Sequence, residues 1–272
     1  MSKPIGVFDS GVGGLTVLRE LNSVLPLEST IYLGDNTRVP YGPLPVEKIR
    51  QYTLECLDYL YHEGVKALVI ACNTATASAL DAARERYDVP VVGVIDSTAK
   101  VAAAASRARV GVIATQATVN SGQYVRAIQA ENPALEVHQQ ACPLLTILVE
   151  AGEFATRKTE SVLEGYLQPL RERKVDTLVL GCTHYPFLRP TIEKLMGPGL
   201  QIVECGPSTV ASLVALMEEG RLERASDGAP VRRMLTTGNV ESFRRVASTL
   251  WPGDLPEIEV VDVERRREPV SR

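Results

Sequence analysis

The chain has 272 residues, of which 45% are hydrophobic, 23% are charged and 5% are aromatic, and its formal net charge is -4. This hydrophobic content can fill the core of one large α/β domain or of two ordinary ones. The negative charge argues against a nucleic-acid-binding protein, which usually carries a basic face, and favours a small ligand.

No apolar run approaches the roughly 20 residues that span a bilayer, and the first residues lack the basic and apolar regions of a signal peptide. We therefore expect a cytoplasmic protein without a membrane partner. The cysteines at positions 56, 72, 142, 182 and 205 form no Cys-x-x-Cys pair, and their odd number argues against a disulfide framework. Free thiols are expected.

Short β-rich runs alternate with amphipathic stretches along the chain. Strands are predicted at Pro4–Phe8, Thr30–Leu33, Ala67–Ala71, Val89–Val94, Val110–Ala114, Leu135–Gln139, Thr177–Gly181 and Leu200–Glu204. This alternation is typical of βαβ units, so we expect parallel sheets. After the second strand, apolar residues recur at the spacing of a helix: Ile49, Tyr52, Cys56, Tyr59 and Leu60. Cys56 is therefore assigned to the core.

The chain contains an internal repeat. Val65–Cys72 reads nearly in register with Val175–Cys182, and each segment ends a predicted strand with a cysteine. A weaker similarity relates Ile5–Phe8 to Val110–Ile113. The repeat predicts two similar α/β domains with one thiol each.

The chain continues well beyond the second repeated cysteine. Two further strands are predicted at Val231–Thr236 and Ile258–Val261, with a helix at Glu241–Leu250 between them. This tail either extends the second domain or returns to the first, and the pattern alone is compatible with both. The charged final residues, 264–272, receive no function.

Ligands of open parallel sheets bind beyond the carboxyl ends of the strands. Four of these ends are polar: Asp9–Gly14, Gly34–Asp35 with Pro40–Gly42, Cys72–Thr74, and Cys182–His184. The glycine-rich turn in the first could offer backbone N–H groups to a carboxylate or phosphate, although it matches neither a P-loop nor a dinucleotide motif. A tight turn in which Asp9 or Ser10 caps the next helix fits equally well.

Cys72 and Cys182 both stand where a strand ends and a helix is predicted, so a helix N-terminus could lower the thiol pKa from about 8.5. A single cysteine in such a place is more often inert, but two at matching positions of a repeat favour a function. Asn73, Thr74 and Thr183 could be helix caps.

His184 could be a proton partner or a metal ligand. The chain has three histidines and shows no further ligand at zinc spacing, so no metal is expected. Cys142 and Cys205 are followed by Pro143 and Gly206, which suggests turns, and both are assigned a structural role.

Two opposed thiols, one ionised and one protonated, can remove a proton from one face of a carbon and return one to the other face, which inverts a stereocentre. Without a cofactor, donors aimed at the carboxylate have to stabilise the carbanion. The candidate donors are the Gly11–Gly14 amides with Asn73, Thr74 and Thr183. Asp9 and His184 are the candidate proton carriers.

Six segments together resemble the glutamate racemases of the aspartate/glutamate racemase superfamily. They are Gly6–Val17, Gly34–Asp35 with Val39–Gly42, Ala71–Ala75, Ala114–Thr115 with Ala117–Val119, Cys142–Leu144 up to Val149–Glu150, and Leu180–Pro186. The resemblance implies an α/β fold of two similar parallel-sheet domains related by pseudo-symmetry, with the active site in the cleft between them. It places the tail in the first domain, which gives domains of residues 1–97 plus 207–272 and of residues 98–206.

The resemblance also implies roles for individual residues. Cys72 would deprotonate D-glutamate, and Cys182 would deprotonate L-glutamate. The enzyme would be a homodimer that uses neither cofactor nor metal, and it would supply D-glutamate for peptidoglycan. Substrate contacts are implied for Asp9, Ser10, Tyr41, Gly42, Asn73, Thr74, Thr183 and His184, with Glu150 lining the cleft.

Two segments depart from the usual family pattern, Ile95–Thr98 and Cys205–Pro207, and both lie near the expected domain crossings. Some relatives have an N-terminal extension through which a cell-wall precursor activates them. Because Asp9 comes almost at once in this chain, no such site is expected.

Two other functions fit the same residues. A racemase of aspartate or of another amino acid would use the same pair of thiols. A regulatory binding protein with inert thiols, such as one that acts on DNA gyrase, is the alternative from a different class.

Overall fold

The computed structural model describes residues 2–249, 251 and 253–264. Its strands are β1 (Ile5–Asp9), β2 (Thr30–Gly34), β3 (Ala67–Ile70), β4 (Val91–Gly93), β5 (Arg109–Ala114), β6 (Glu136–Ala141), β7 (Thr177–Gly181), β8 (Gln201–Glu204), β9 (Arg232–Thr236) and β10 (Ile258–Val260). They form a six-stranded sheet in the order β10-β9-β2-β1-β3-β4 and a four-stranded sheet in the order β6-β5-β7-β8. All pairs are parallel, which confirms the predicted fold class.

Helices cover the faces of both sheets and connect the parallel strands. They are α1 (Leu15–Val24), α2 (Val46–His62), α3 (Asn73–Arg86), α4 (Val94–Ala105), α5 (Gln116–Ser121), α6 (Gln123–Glu131), α7 (Pro143–Glu150), α8 (Arg157–Glu172), α9 (Arg189–Met196), α10 (Cys205–Glu218) and α11 (Val240–Ala247). No helix within the described residues is both long and apolar enough to cross a membrane.

The tail returns to the first sheet. β9 pairs with β2, and β10 pairs with β9, so the edge of the six-stranded sheet is built from the end of the chain. A buried ion pair supports this return: Glu28 Oε2 lies 2.6 Å from Lys66 Nζ, and Glu28 Oε1 accepts the Ala225 N–H at 2.8 Å. Because both charges are buried and paired, removing one partner would leave the other uncompensated.

The structure corrects several predicted boundaries. The fourth strand is shorter than expected because α4 already begins at Val94, and β6 runs on to Ala141. The last helix, predicted at Glu241–Leu250, ends at Ala247. Position 250 and residues 265–272, for which predictions were also made, lie outside the described residues.

The turns expected after Cys142 and Cys205 were wrong, because α7 and α10 begin there. Proline is compatible with the first turn of a helix, where its missing N–H would have no intrahelical partner, and Pro143 occupies that place in α7. Cys56 lies fully buried in the core between α2 and the first sheet, as predicted.

Candidate active site

A cavity of about 280 Å³ lies at the carboxyl ends of the strands, with walls from both sheets. Ser10 and Cys72 follow β1 and β3 of the first sheet, while Thr115 and Cys182 follow β5 and β7 of the second. Parallel strands present their carboxyl ends at one edge, so the repeated segments bring their cysteines to the same space. Both thiols line this cavity.

Cys72 is the N-cap of α3. Its sulfur accepts the Ala75 N–H at 3.4 Å and lies 3.4 Å from Ser10 Oγ, to which the thiol donates. Burial, followed by the nearby charge of Asp9, raises the pKa of Cys72 to about 12. The predicted lowering was therefore wrong for this thiol, because desolvation and a like charge outweigh the N-terminus of α3.

Cys182 has different surroundings. No α-helix begins directly after it, contrary to the prediction, and the chain turns into a short 3-10 helix at Tyr185–Leu188. The sulfur lies 3.7 Å from His184 Nδ1 and 3.8 Å from Thr146 Oγ1. The neighbour of Cys182 that can stabilise a thiolate is therefore His184, and not the N-terminus of an α-helix.

His184 is held between Cys182 and Glu150. Its Nε2 lies 2.7 Å from Glu150 Oε1, and its side chain is 2% exposed. Burial lowers the pKa of His184, but hydrogen bonds to Cys182 and Glu150 outweigh burial and raise this pKa well above its usual value. The imidazolium is therefore the favoured form beside Cys182.

Asp9 lies behind the cavity wall and is fully buried. Its carboxylate accepts the Thr183 hydroxyl at 3.1 Å and the Gly11 N–H at 3.0 Å. Burial raises the pKa of Asp9 to about 6, although the charge of His184 and these hydrogen bonds act in the opposite direction. The alternative in which Asp9 or Ser10 is the N-cap of α1 is wrong, because Gly14 occupies the N-cap position, and no side chain caps this helix.

The glycine-rich turn packs against the site and not into the cavity. A Cβ on Gly13 would lie 2.5 Å from Thr183 Oγ1, and one on Gly14 would lie 2.5 Å from Asp9 Cβ. Among the described residues that form the cavity wall, none comes from Gly11–Gly14. The turn therefore lets Asp9, Thr183 and His184 approach one another, a packing role that the anion-binding interpretation did not include.

The structure brings most of the predicted site residues to one surface. The cavity wall contains both cysteines together with Ser10, Tyr41, Gly42, Asn73, Thr74, Thr183 and His184. Asp9 and Glu150, which the resemblance also assigned to the site, are not among these wall residues, and they contact Thr183 and His184.

Sequence reasoning missed part of the wall. Thr115 lies 2.8 Å from Thr74 and 3.0 Å from Thr118, measured between hydroxyl oxygens, and it follows β5, so the rule of strand ends could have found it. Pro40 belongs to one of the four polar strand ends, although it was not predicted to contact substrate. The remaining wall residues were not singled out as site residues: Pro43, Gln116, Pro143, Leu144, Thr146 and Ile147. Four of these lie on α7, which only tertiary packing brings to the cavity.

Two sheets that bring two buried thiols to one cavity define an α/β enzyme with the layout of an amino-acid racemase. The chain matches the Asp/Glu/Hydantoin racemase family over residues 5–213, and it belongs to that family.

The similar proteins include curated glutamate racemases. That of Listeria innocua is 44% identical over 91% of this chain and 93% of its own length. That of Beutenbergia cavernae is 48% identical over 90% and 88%. The crystal structure of glutamate racemase from Francisella tularensis in complex with D-glutamate has a TM-score of 0.91 at 34% identity and covers 97% of this chain and 99% of that one. These matches confirm the resemblance to glutamate racemases and the prediction that the chain is an enzyme, an isomerase of the racemase type.

Proposed function

We propose that the chain interconverts L- and D-glutamate by proton transfer between its α-carbon and two thiols, Cys72 and Cys182. The observation that carries this proposal is that both thiols line one cavity, with Asp9 near the first and His184 beside the second. Glutamate is chosen as the substrate because the similar proteins are glutamate racemases, one of them in complex with D-glutamate.

The two thiols have different neighbours, Ser10 beside Cys72 and His184 beside Cys182. The raised pKa of Cys72 keeps that thiol protonated, whereas the His184 imidazolium lies beside the Cys182 sulfur, 3.7 Å from it. This arrangement is suited to L-glutamate. The Cys182 thiolate takes the α-proton, the electron pair remains on the carbanion, and the Cys72 thiol gives its proton to the opposite face. The products are D-glutamate, a Cys182 thiol and a Cys72 thiolate, from which the reverse reaction starts.

The carbanion has to be stabilised by the protein, because its charge spreads into the α-carboxylate. The donors at the wall are the amide of Asn73 and the hydroxyl of Thr74, since the Thr183 hydroxyl donates to Asp9. Each factor of ten in rate corresponds to about 1.4 kcal/mol of transition-state stabilisation. Glu150 contributes through His184, since its carboxylate holds the imidazole in place and favours the charged form.

The domain boundaries also belong to this proposal, with residues 1–97 and 207–272 in the first domain and 98–206 in the second. The return of β9 and β10 to the first sheet supports this division. Both boundaries fall inside helices, because α4 begins at Val94 and α10 at Cys205. The homodimer, the cytoplasmic location and the supply of D-glutamate for peptidoglycan remain proposals of the same kind, drawn from the family.

Racemisation in heavy water by protein dialysed against a chelator tests the function. We expect L-glutamate to lose its optical activity and to gain deuterium at the α-carbon, and Cys72→Ser and Cys182→Ser each to abolish racemisation. Cys142→Ser is the matched control, since this buried thiol does not line the cavity. Faster inversion of L-aspartate would show that aspartate, and not glutamate, is the substrate. Full racemisation by both serine variants would reject the two-thiol mechanism, and no racemisation by the wild-type chain would favour a binding protein with inert thiols.

A further inference from the structure

Asn73, at the cavity wall, is held from behind by two residues, Tyr124 on α6 and Cys205 at the start of α10. The Tyr124 hydroxyl on α6 donates to Asn73 Oδ1 at 2.7 Å, and Asn73 Nδ2 donates to Cys205 Sγ at 3.5 Å. Tyr124 is 0% exposed, Asn73 2% and Cys205 4%. Neither Tyr124 nor Cys205 is among the described residues that line the cavity, so both act on it only through Asn73.

A main-chain carbonyl sets the direction of these hydrogen bonds. Cys205 Sγ lies 3.4 Å from the carbonyl oxygen of Leu180 on β7, which can only accept. Asn73 Oδ1 is the other acceptor near this thiol, at 3.6 Å, and the Leu180 carbonyl is nearer, so the thiol donates to Leu180. Its sulfur accepts from Asn73 Nδ2, and Asn73 Oδ1 accepts from Tyr124. Burial raises the pKa of Tyr124 well above its usual value and also raises that of Cys205, so both groups keep the protons that they donate.

An amide side chain presents a donor or an acceptor, depending on how it is turned. Asn73 Nδ2 has two hydrogens and gives one to Cys205, while its Oδ1 is occupied by Tyr124. We propose that Tyr124 and Cys205 are positioning residues, which hold Asn73 so that an N–H, and not its oxygen, is available to a carboxylate of the substrate. This inference rests on the proposed racemisation of glutamate.

The space that Tyr124 needs is left by a glycine. A Cβ at Gly181 would lie 3.1 Å from Tyr124 Cε2 and 2.9 Å from the Ile113 carbonyl oxygen. Gly181 directly precedes Cys182, so the strand that carries the second thiol also admits the ring that orients Asn73. Because Gly181 has no Cβ, the Tyr124 ring can pack against the strand that ends at Cys182.

Tyr124→Phe removes the hydroxyl and keeps the buried ring. Because Asn73 would then be held by one partner fewer and would present its N–H to the carboxylate less often, we expect the KM for L-glutamate to rise roughly tenfold. The kcat should fall as well, because the same N–H stabilises the carbanion, whose charge spreads into the carboxylate. Tyr87→Phe is the matched control, since it removes a hydroxyl that donates to Asp58 at 2.8 Å, with neither residue at the cavity wall.

A second measurement needs no substrate. In protein labelled with ¹⁵N-asparagine, the side-chain NH₂ signal of Asn73 is identified by its loss in Asn73→Ala. We expect Tyr124→Phe to shift this signal and Tyr87→Phe to leave it in place. An unchanged KM together with an unmoved Asn73 signal in Tyr124→Phe overturns the inference.

Cys205 supplies an independent pair of variants in case Tyr124→Phe does not fold. Cys205→Ser keeps a group that can accept from Asn73 and donate to Leu180, so its KM should stay near that of the wild type. Cys205→Ala should raise the KM and shift the Asn73 signal, and no change in either would overturn the inference. If the wild type does not racemise glutamate, the proposed function fails, and the NMR signals still decide whether Asn73 is held in this way.

Discussion

Ionised Asp9 destabilises the fold, and Asp9→Asn should relieve this cost. Burial raises the pKa of Asp9 from 3.8 to about 6. At about 1.4 kcal/mol for each tenfold change in proton affinity, the ionised form costs about 3 kcal/mol relative to the unfolded chain. Asparagine fits the site, since its oxygen can accept from the Gly11 N–H while its NH₂ donates to the Thr183 hydroxyl, which can reverse its direction.

The sign of the pH dependence follows from linkage. The folded chain binds the Asp9 proton more tightly than the unfolded chain, since the folded pKa is about 6 and the ordinary value is 3.8. The stability contributed by Asp9 therefore falls as the pH rises through this interval and stays low above it. Asp9→Asn should gain up to about 3 kcal/mol at pH 8, less than about 1 kcal/mol at pH 4 and nothing well below pH 4.

Urea unfolding followed by circular dichroism at the two pH values measures this difference. Asp176→Asn is a control of opposite sign, because hydrogen bonds from Ser106 and from main-chain N–H groups outweigh burial and lower the pKa of Asp176. This substitution should destabilise the protein at pH 8. Racemisation by Asp9→Asn should fall at least about tenfold, since the charge that helps to keep Cys72 protonated is lost. A variant that is no more stable at pH 8, or equally stabilised at pH 4, would refute the reasoning.

Three further substitutions test contacts around the site. Glu150→Gln should lower the pKa of His184, so the alkaline limb of the pH–rate profile with L-glutamate should move to lower pH, and kcat/KM at alkaline pH should fall about tenfold. Racemisation rates measured over a pH series test this, and an unmoved limb would contradict the role of the Glu150–His184 pair. Gly13→Ala places a Cβ 2.6 Å from His184 Nδ1, so it should lower the free energy of unfolding by about 1–3 kcal/mol and remove most of the activity. A variant with the activity and the urea midpoint of the wild type would contradict this. Thr237→Val removes a 2.8 Å hydrogen bond to buried Asp35 and should lower the melting temperature by about 2–4 °C, while Thr237→Ser should not; equal melting temperatures in the two variants would count against that bond.

The sequence by itself determined the fold class, the repeat and most of the cavity wall. These features follow from local patterns. A buried parallel strand needs a short apolar run, and a site at strand ends needs polar residues directly after such a run. For that reason Cys72 and Cys182, Asn73 and Thr183 were found by position alone, and Thr115 could have been found in the same way.

Tertiary structure alone decided the electrostatics and the supporting contacts. The sequence pattern predicted a lowered pKa at both thiols, but the pKa of Cys72 is raised because the surrounding chain removes water from it and places Asp9 nearby. Tyr124 reaches Asn73 across 51 positions, and Cys205 does so across 132. A pKa and a hydrogen bond depend on distances in space, which local periodicity does not encode, so these partners become visible only when the two halves pack together.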